Sequence, residues 1–142
     1  MAWTGGCLCG AVRFRSESEP IWVAHCHCEM CRRHFGGVMG SFVGFPEGTI
    51  EWLGETRSRY RSSDTVHRGF CPRCGSTLTF ERDALVDIAV GALDDPERLT
   101  PGQTPDADPR DECHIYTESQ IPWLKVDDAL PRHPRRPPGY GD

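Results

Sequence analysis

Residues 70–76 read Phe70-Cys71-Pro72-Arg73-Cys74-Gly75-Ser76, a Cys-x-x-Cys turn closed by a glycine. Two thiols at this spacing can face one ion, and the glycine lets the backbone turn its amides toward the sulfurs. Such a turn supplies two ligands, whereas tetrahedral zinc takes four. Near the beginning of the chain, Cys7-Leu8-Cys9-Gly10 offers a complementary pair. Cys7, Cys9, Cys71 and Cys74 together make a closed four-cysteine set, expected to hold a structural zinc ion that staples the start of the chain to its middle. A redox dithiol and unconnected buried thiols are the competing readings.

A third cluster, Cys26-His27-Cys28-Glu29-Met30-Cys31, places three cysteines within six residues. Three thiolates leave the fourth zinc position to water or an incoming thiol, and an open position is what catalysis requires. A second zinc on Cys26, Cys28 and Cys31 is expected to keep a substrate thiol ionised near neutral pH or to polarise a bound oxygen. The alternative is another closed structural site, with His25, His34 or Cys113 as fourth ligand. In an extended segment His27 falls on the opposite side from its two cysteine neighbours, and reads as a structural or surface histidine in preference to a proton shuttle. Cys113 stands alone among the eight cysteines, as a small buried hydrophobe or a free thiol. Arg32 and Arg33 follow the cluster, before Gly36 and Gly37. They could meet an anionic substrate, or simply be solvated.

With 142 residues the chain suits one main domain, able to bury about two-thirds of its unfolded surface. Hydrophobic residues make up 37% and the formal charge is -5, which disfavours non-specific nucleic-acid binding. No apolar run approaches the roughly 20 residues of a transmembrane helix. The opening MAWTGGCLCG has neither a basic n-region nor an apolar h-region, so a cytoplasmic location is expected. In that reducing compartment clustered thiols favour metal over disulfides. Positive charge gathers in a Pro/Arg-rich tail over 131–142, where Arg132, Arg135 and Arg136 against Asp142 give +2, leaving -7 for a zinc domain over 1–130.

Alternation and β-branched or aromatic content predict short strands over 11–15, 21–25, 39–45, 49–53, 57–61, 65–70, 76–81 and 85–90, with another at 114–116. One helical turn is expected over 29–34 and a second over 94–99, with Asp94 as N-cap and Glu97 three residues on. The stretch TPGQTPDADPRDE after Leu99 reads as a long irregular connection. Apolar groups at 121–124 are expected to dock on the core, and the tail to run extended over the surface. The fold class is therefore mainly β, built of short antiparallel strands with few helical turns.

The segments GGCLCGAVRF, HCHCEMCRRHFGG and FCPRCGSTL, in this order and spacing, resemble the glutathione-dependent formaldehyde-activating enzyme family, also called the centromere-protein-V-like family. The likeness spans nearly the whole chain, and HIY at 114–116, PWL at 122–124 and LPR at 130–132 fit the family's closing segment. It implies a tent-like β fold with structural zinc on Cys7, Cys9, Cys71 and Cys74, and a second zinc on Cys26, Cys28 and Cys31. It further implies a carbon-sulfur lyase activity joining glutathione and formaldehyde in S-hydroxymethylglutathione, or cleaving it. A non-catalytic glutathione or thiol carrier and a zinc-stapled interaction module are the other functions considered. Among Arg32, Arg33, Arg57 and Arg59, any could pair with the carboxylates of glutathione.

Overall fold

A computed structural model of the chain describes residues 1–101 and 111–137. Its elements, in order, are β1 (Trp3–Gly6), β2 (Val12–Ser16), β3 (Trp22–Cys26), α1 (Glu29–Phe35), β4 (Gly40–Gly44), β5 (Glu51–Gly54), β6 (Ser58–Arg61), β7 (Val66–Phe70), β8 (Thr77–Arg82), β9 (Leu85–Ala89) and β10 (Glu112–Ile115). Three short 3-10 turns at Val90–Ala92, Pro96–Arg98 and Thr117–Ser119 complete them. The mainly β expectation holds, with one α-helix of two turns among the described residues. The chain separates into two compact units, Met1–Ile21 with Phe42–Leu99, and Trp22–Ser41 with Thr100–Asp142.

In the first unit β1, β2 and β5 form an antiparallel sheet. Strand β2 alternates cleanly: Val12, Phe14 and Ser16 are buried while Arg13 and Arg15 turn outward. Strand β1 lies outside the predicted strands, since Gly5 and Gly6 carry neither a β-branched nor an aromatic cue. Gly5 is needed for close approach: a Cβ there would sit 2.4 Å from the Phe14 ring and 2.2 Å from the Ala92 carbonyl oxygen. Strands β9, β8, β7 and β6 pair antiparallel in that order, and the Phe42–Gly44 part of β4 pairs with β9. Leu78, Ile88 and Val43 are wholly buried at the centre of this unit. The expected N-cap at Asp94 is not formed. Asp95 occupies the cap position of Pro96–Arg98 without a side-chain bond, and Asp94 instead engages the Arg13 guanidinium and accepts a 2.7 Å bond from the Thr4 hydroxyl. A paired, charge-assisted bond to an arginine outweighs a cap on so short a turn.

The first unit also buries a carboxylate. Glu81 is 4% exposed and receives Arg57 through both oxygens, Nε at 3.0 Å and a terminal nitrogen at 2.5 Å, while the Thr79 hydroxyl donates at 2.6 Å. Arg57 stacks on the Trp52 ring at 3.9 Å. Burial pushes the Glu81 carboxyl up, but the Arg57 and Thr79 hydrogen bonds and the charges of Arg57 and Arg59 hold it below its ordinary value of 4.5. A depressed folded value means stability that is full above the unfolded value and lost as pH falls through the folded one. Glu81→Gln should therefore lower the melting temperature most at neutral pH, with the gap to the unsubstituted protein shrinking below about pH 4, as read by thermal unfolding across pH.

In the second unit β3 and β10 pair in parallel, with Ala24 opposite Cys113, His25 opposite His114 and Cys26 opposite Ile115. This pair departs from the antiparallel expectation, since the partner strand arrives from the far end of the sequence in the same direction. Residues 131–133 lie along β10: His114 donates to the Pro131 carbonyl and His133 to the His114 carbonyl, both at 2.9 Å. Helix α1 begins at an unusual N-cap, Cys28, whose sulfur accepts the Cys31 amide, and it ends at Gly36 with φ 69°. Of the apolar group expected to dock at 121–124, Ile121 and Leu124 are half-buried but Trp123 is 72% exposed. The middle of the irregular connection after Leu99, residues 102–110, and the end of the tail, 138–142, lie outside the described residues. Among the described residues no helix is long and apolar enough to cross a membrane.

Candidate metal centres

The two hairpin loops of the first unit carry the four-cysteine set. Cys7 and Cys9 sit in the loop between β1 and β2, and Cys71 and Cys74 in the loop between β7 and β8. Both loops turn at a left-handed glycine, Gly10 at φ 80° and Gly75 at φ 78°, where any other side chain would be strained. They share a hydrogen-bond pattern as well. Cys7 donates its amide to Val12 and Cys71 to Ser76, and the two glycines donate back to the carbonyls of Cys7 and Cys71. The loops are tied directly by the Leu8 amide, which donates to the Ser76 hydroxyl at 2.9 Å.

All four sulfurs lie within 4.8 Å of one another, with Cys7 to Cys9 at 3.6 Å and Cys9 to Cys71 at 3.8 Å. Sulfurs placed about 2.3 Å from a central zinc form a tetrahedron with edges of about 3.8 Å, so the donor set fits that ion. Backbone amides point at the thiols: Val12 to Cys7 at 3.3 Å, and Arg73 and Cys74 to Cys71 at 3.4 and 3.5 Å. At Cys7 burial pushes the thiol up, but the Val12 amide and the neighbouring Cys9 and Cys71 sulfurs bring it below its ordinary value. The Ser76 hydroxyl 3.2 Å from Cys74, with the Ser76 and Cys9 amides, lowers that thiol to about 5. No cysteine is in a disulfide.

The second unit holds the other set. Cys26 closes β3, Cys28 caps α1 and Cys31 lies in its first turn, so a strand end and a helix start converge their sulfurs within 4.8 Å. Gly40 is packed behind them, since a Cβ there would come within 2.6 Å of the Phe35 ring and 3.2 Å of the Cys31 Cβ. Cys26 and Cys31 are buried and Cys28 is half-buried. The Cys28 and Cys31 sulfurs, followed by burial, push the Cys26 thiol far up. Three thiols so close do not ionise together on their own; a divalent cation among them reverses that balance, and the set fits one.

Among the described residues no fourth ligand atom joins this group. His25 is spoken for, with Nδ1 at 2.7 Å from the Ser41 hydroxyl and Nε2 at 3.1 Å from Glu112. Cys113 is wholly buried in β10 and joins neither sulfur set; burial, then the Glu112 charge, pushes its thiol up to about 11. His34 also stands outside the group.

His27 is fully buried, and its Nε2 lies 2.8 Å from Nδ1 of His114, whose Nε2 in turn lies 2.7 Å from Asp128. Burial, then the charges of His114 and Arg132, holds its imidazole down at about 4, so His27 is neutral at neutral pH. The histidine braces the loop between Cys26 and Cys28. Sequence reasoning assigned no role to His114, Asp128, Ser41 or Glu112, and no local signal could have done so, because His27 and His114 are 87 residues apart.

The family model of the glutathione-dependent formaldehyde-activating enzyme matches residues 2–119. An uncharacterized lyase of Schizosaccharomyces pombe is 32% identical over 78 residues, which are 55% of this chain and 56% of that protein, so the match spans little more than half of the relative. A putative glutathione-dependent formaldehyde-activating enzyme of Halomonas elongata is 29% identical over 140 residues, covering 89% of this chain and 82% of that one. The crystal structure of a Rhodobacter sphaeroides protein shares the fold at TM-score 0.55 and 21% identity, over 73% of this chain and 96% of that one. With a family match over most of its length and the family's three cysteine motifs, the chain belongs to the glutathione-dependent formaldehyde-activating enzyme family.

Proposed function

We propose that the protein is a zinc-dependent enzyme of the carbon-sulfur lyase type, forming or cleaving the adduct between glutathione and a small aldehyde such as formaldehyde. The observation that carries this reading is the three-sulfur group of Cys26, Cys28 and Cys31, to which no fourth ligand is added among the described residues. Family membership and the names of the relatives support the same chemistry. The four-cysteine group is the structural centre and the three-cysteine group the reactive one.

In the reaction a thiol adds to the aldehyde carbon. The new carbon-sulfur bond forms as the carbonyl π bond breaks, and the proton lost from sulfur ends on the oxygen. Cys26, Cys28 and Cys31 would hold the ion, and zinc bound there supplies Lewis acidity and raises the thiolate fraction of a thiol at neutral pH. The protein's own part is placement. Cys28, the least buried of the three cysteines, marks the side from which substrate arrives, and the chain running from buried His27 through buried His114 to the exposed Asp128 keeps the intervening loop from shifting.

Exchange spectroscopy of formaldehyde and glutathione measures this directly. Fully metallated protein is expected to speed interconversion of the free and adduct forms several-fold over the spontaneous rate. Binding of glutathione without any acceleration would leave a thiol carrier in place of an enzyme.

A further inference from the structure

We infer that Arg32 is the carboxylate anchor of the thiol substrate, and that the three-cysteine site therefore selects thiols bearing a carboxylate over uncharged ones. The inference rests on the reading of that site as thiol-binding. The sequence offers four arginines for the task, and the structure separates them. Arg33 pairs with Glu29 at 3.0 Å along α1, and Arg57 and Arg59 both pair with Glu81. The Arg32 side chain makes no ion pair or hydrogen bond among the described residues, and its Nε is buried without a partner.

An arginine left this way is costly. Its guanidinium stays charged at any physiological pH, so burying a donor without an acceptor forfeits hydration and gains nothing in return. That arrangement is sensible where an anion from outside the chain completes it.

Position says which anion. Cys28 is the N-cap of α1 and Arg32 lies four residues on, its amide donating to the Cys28 carbonyl at 3.0 Å. Residues four apart share a helix face, and helical side chains lean toward the N-terminus, so Arg32 covers the turn that carries Cys28. A ligand whose sulfur meets the group beside Cys28 brings a nearby carboxylate under the guanidinium, which can take it through two parallel hydrogen bonds. The favourable placing of a basic residue in the last helical turn does not replace this contact, because it leaves Nε without an acceptor.

The test compares zinc-loaded unsubstituted protein with Arg32→Gln, Arg32→Lys and Arg33→Gln. Calorimetry would be run with two probes, glutathione and 2-mercaptoethanol, the second having a thiol but no carboxylate. Zinc content and circular dichroism confirm that each variant is folded and loaded. Glutathione binding should weaken about tenfold or more in Arg32→Gln, recover in part in Arg32→Lys and stay unchanged in Arg33→Gln, with 2-mercaptoethanol unaffected throughout. Unchanged glutathione affinity in Arg32→Gln overturns the inference. So does an equal loss for both thiols, which would mark a structural role, or the absence of any glutathione binding by the unsubstituted protein. Should that protein bind glutathione with the predicted Arg32 dependence yet fail to accelerate adduct exchange, the anchor stands and the enzymatic reading falls.

Discussion

Replacing Cys74 by serine is expected to remove one of two zinc equivalents per chain and to unfold the protein or cost it most of its stability. The expectation follows from what joins the two hairpin loops. Cys7 and Cys9 stand on one, Cys71 and Cys74 on the other, and besides the bonds from the Leu8 amide to the Ser76 hydroxyl and from the Cys9 amide to Cys74 the four sulfurs are what the loop tips bring together. A structural zinc contributes on the order of 10 kcal/mol to folding in small zinc domains, comparable with the entire stability of many domains of this size. Serine is a poor zinc ligand, and the remaining three thiolates would face one another without full compensation. Elemental analysis together with thermal unfolding checks this. Retention of both zinc ions with a melting temperature shifted by only a few degrees would falsify the structural assignment.

Replacing Cys28 by serine should have the opposite profile: the second zinc is lost and acceleration of adduct exchange falls to the spontaneous rate, while the fold persists. The reason lies in what Cys28 does for the helix. As N-cap its sulfur accepts the Cys31 amide at 3.3 Å, and a serine hydroxyl is among the best acceptors for that position. The substitution thus removes a soft metal ligand and leaves the helix start intact. Measured side by side with Cys74→Ser, the pair distinguishes a reactive centre from a structural one. Equal loss of stability in both variants would mean that both centres are structural, and the proposed function would lose its site.

The strands were largely legible in the sequence because their cues are local. Alternating Val12, Arg13, Phe14, Arg15 and Ser16 announces one buried face whatever else the chain does, and β4 to β9 fall within a few residues of where such patterns put them. Failures came where a tertiary neighbour overrode a local preference. Gly5 and Gly6 carry no β-branched or aromatic cue, yet pair with Phe14 and Arg13 in β1, where the Phe14 ring and the Ala92 carbonyl leave no room for a side chain at Gly5. Asp94 looks like a helix cap, yet an arginine eighty-one residues earlier in the chain claims its carboxylate.

Ligand identity likewise belonged to the sequence. Thiols grouped as Cys7 and Cys9, Cys71 and Cys74, and Cys26, Cys28 and Cys31 make two donor sets that could hold soft cations, and their element and spacing are read from the chain alone. Which groups stay uncommitted was decided only in three dimensions. His25 is withdrawn from the second sulfur set by Ser41 and Glu112, His27 is locked to His114 and Asp128, and three of the four candidate arginines are taken by carboxylates. The physical reason is that a ligand's capacity depends on its own atoms, which the residue type specifies, whereas its availability depends on partners drawn from distant parts of the chain. Cys28 was therefore readable from its neighbours, and Arg32 only from the absence, among the described residues, of a carboxylate paired with it.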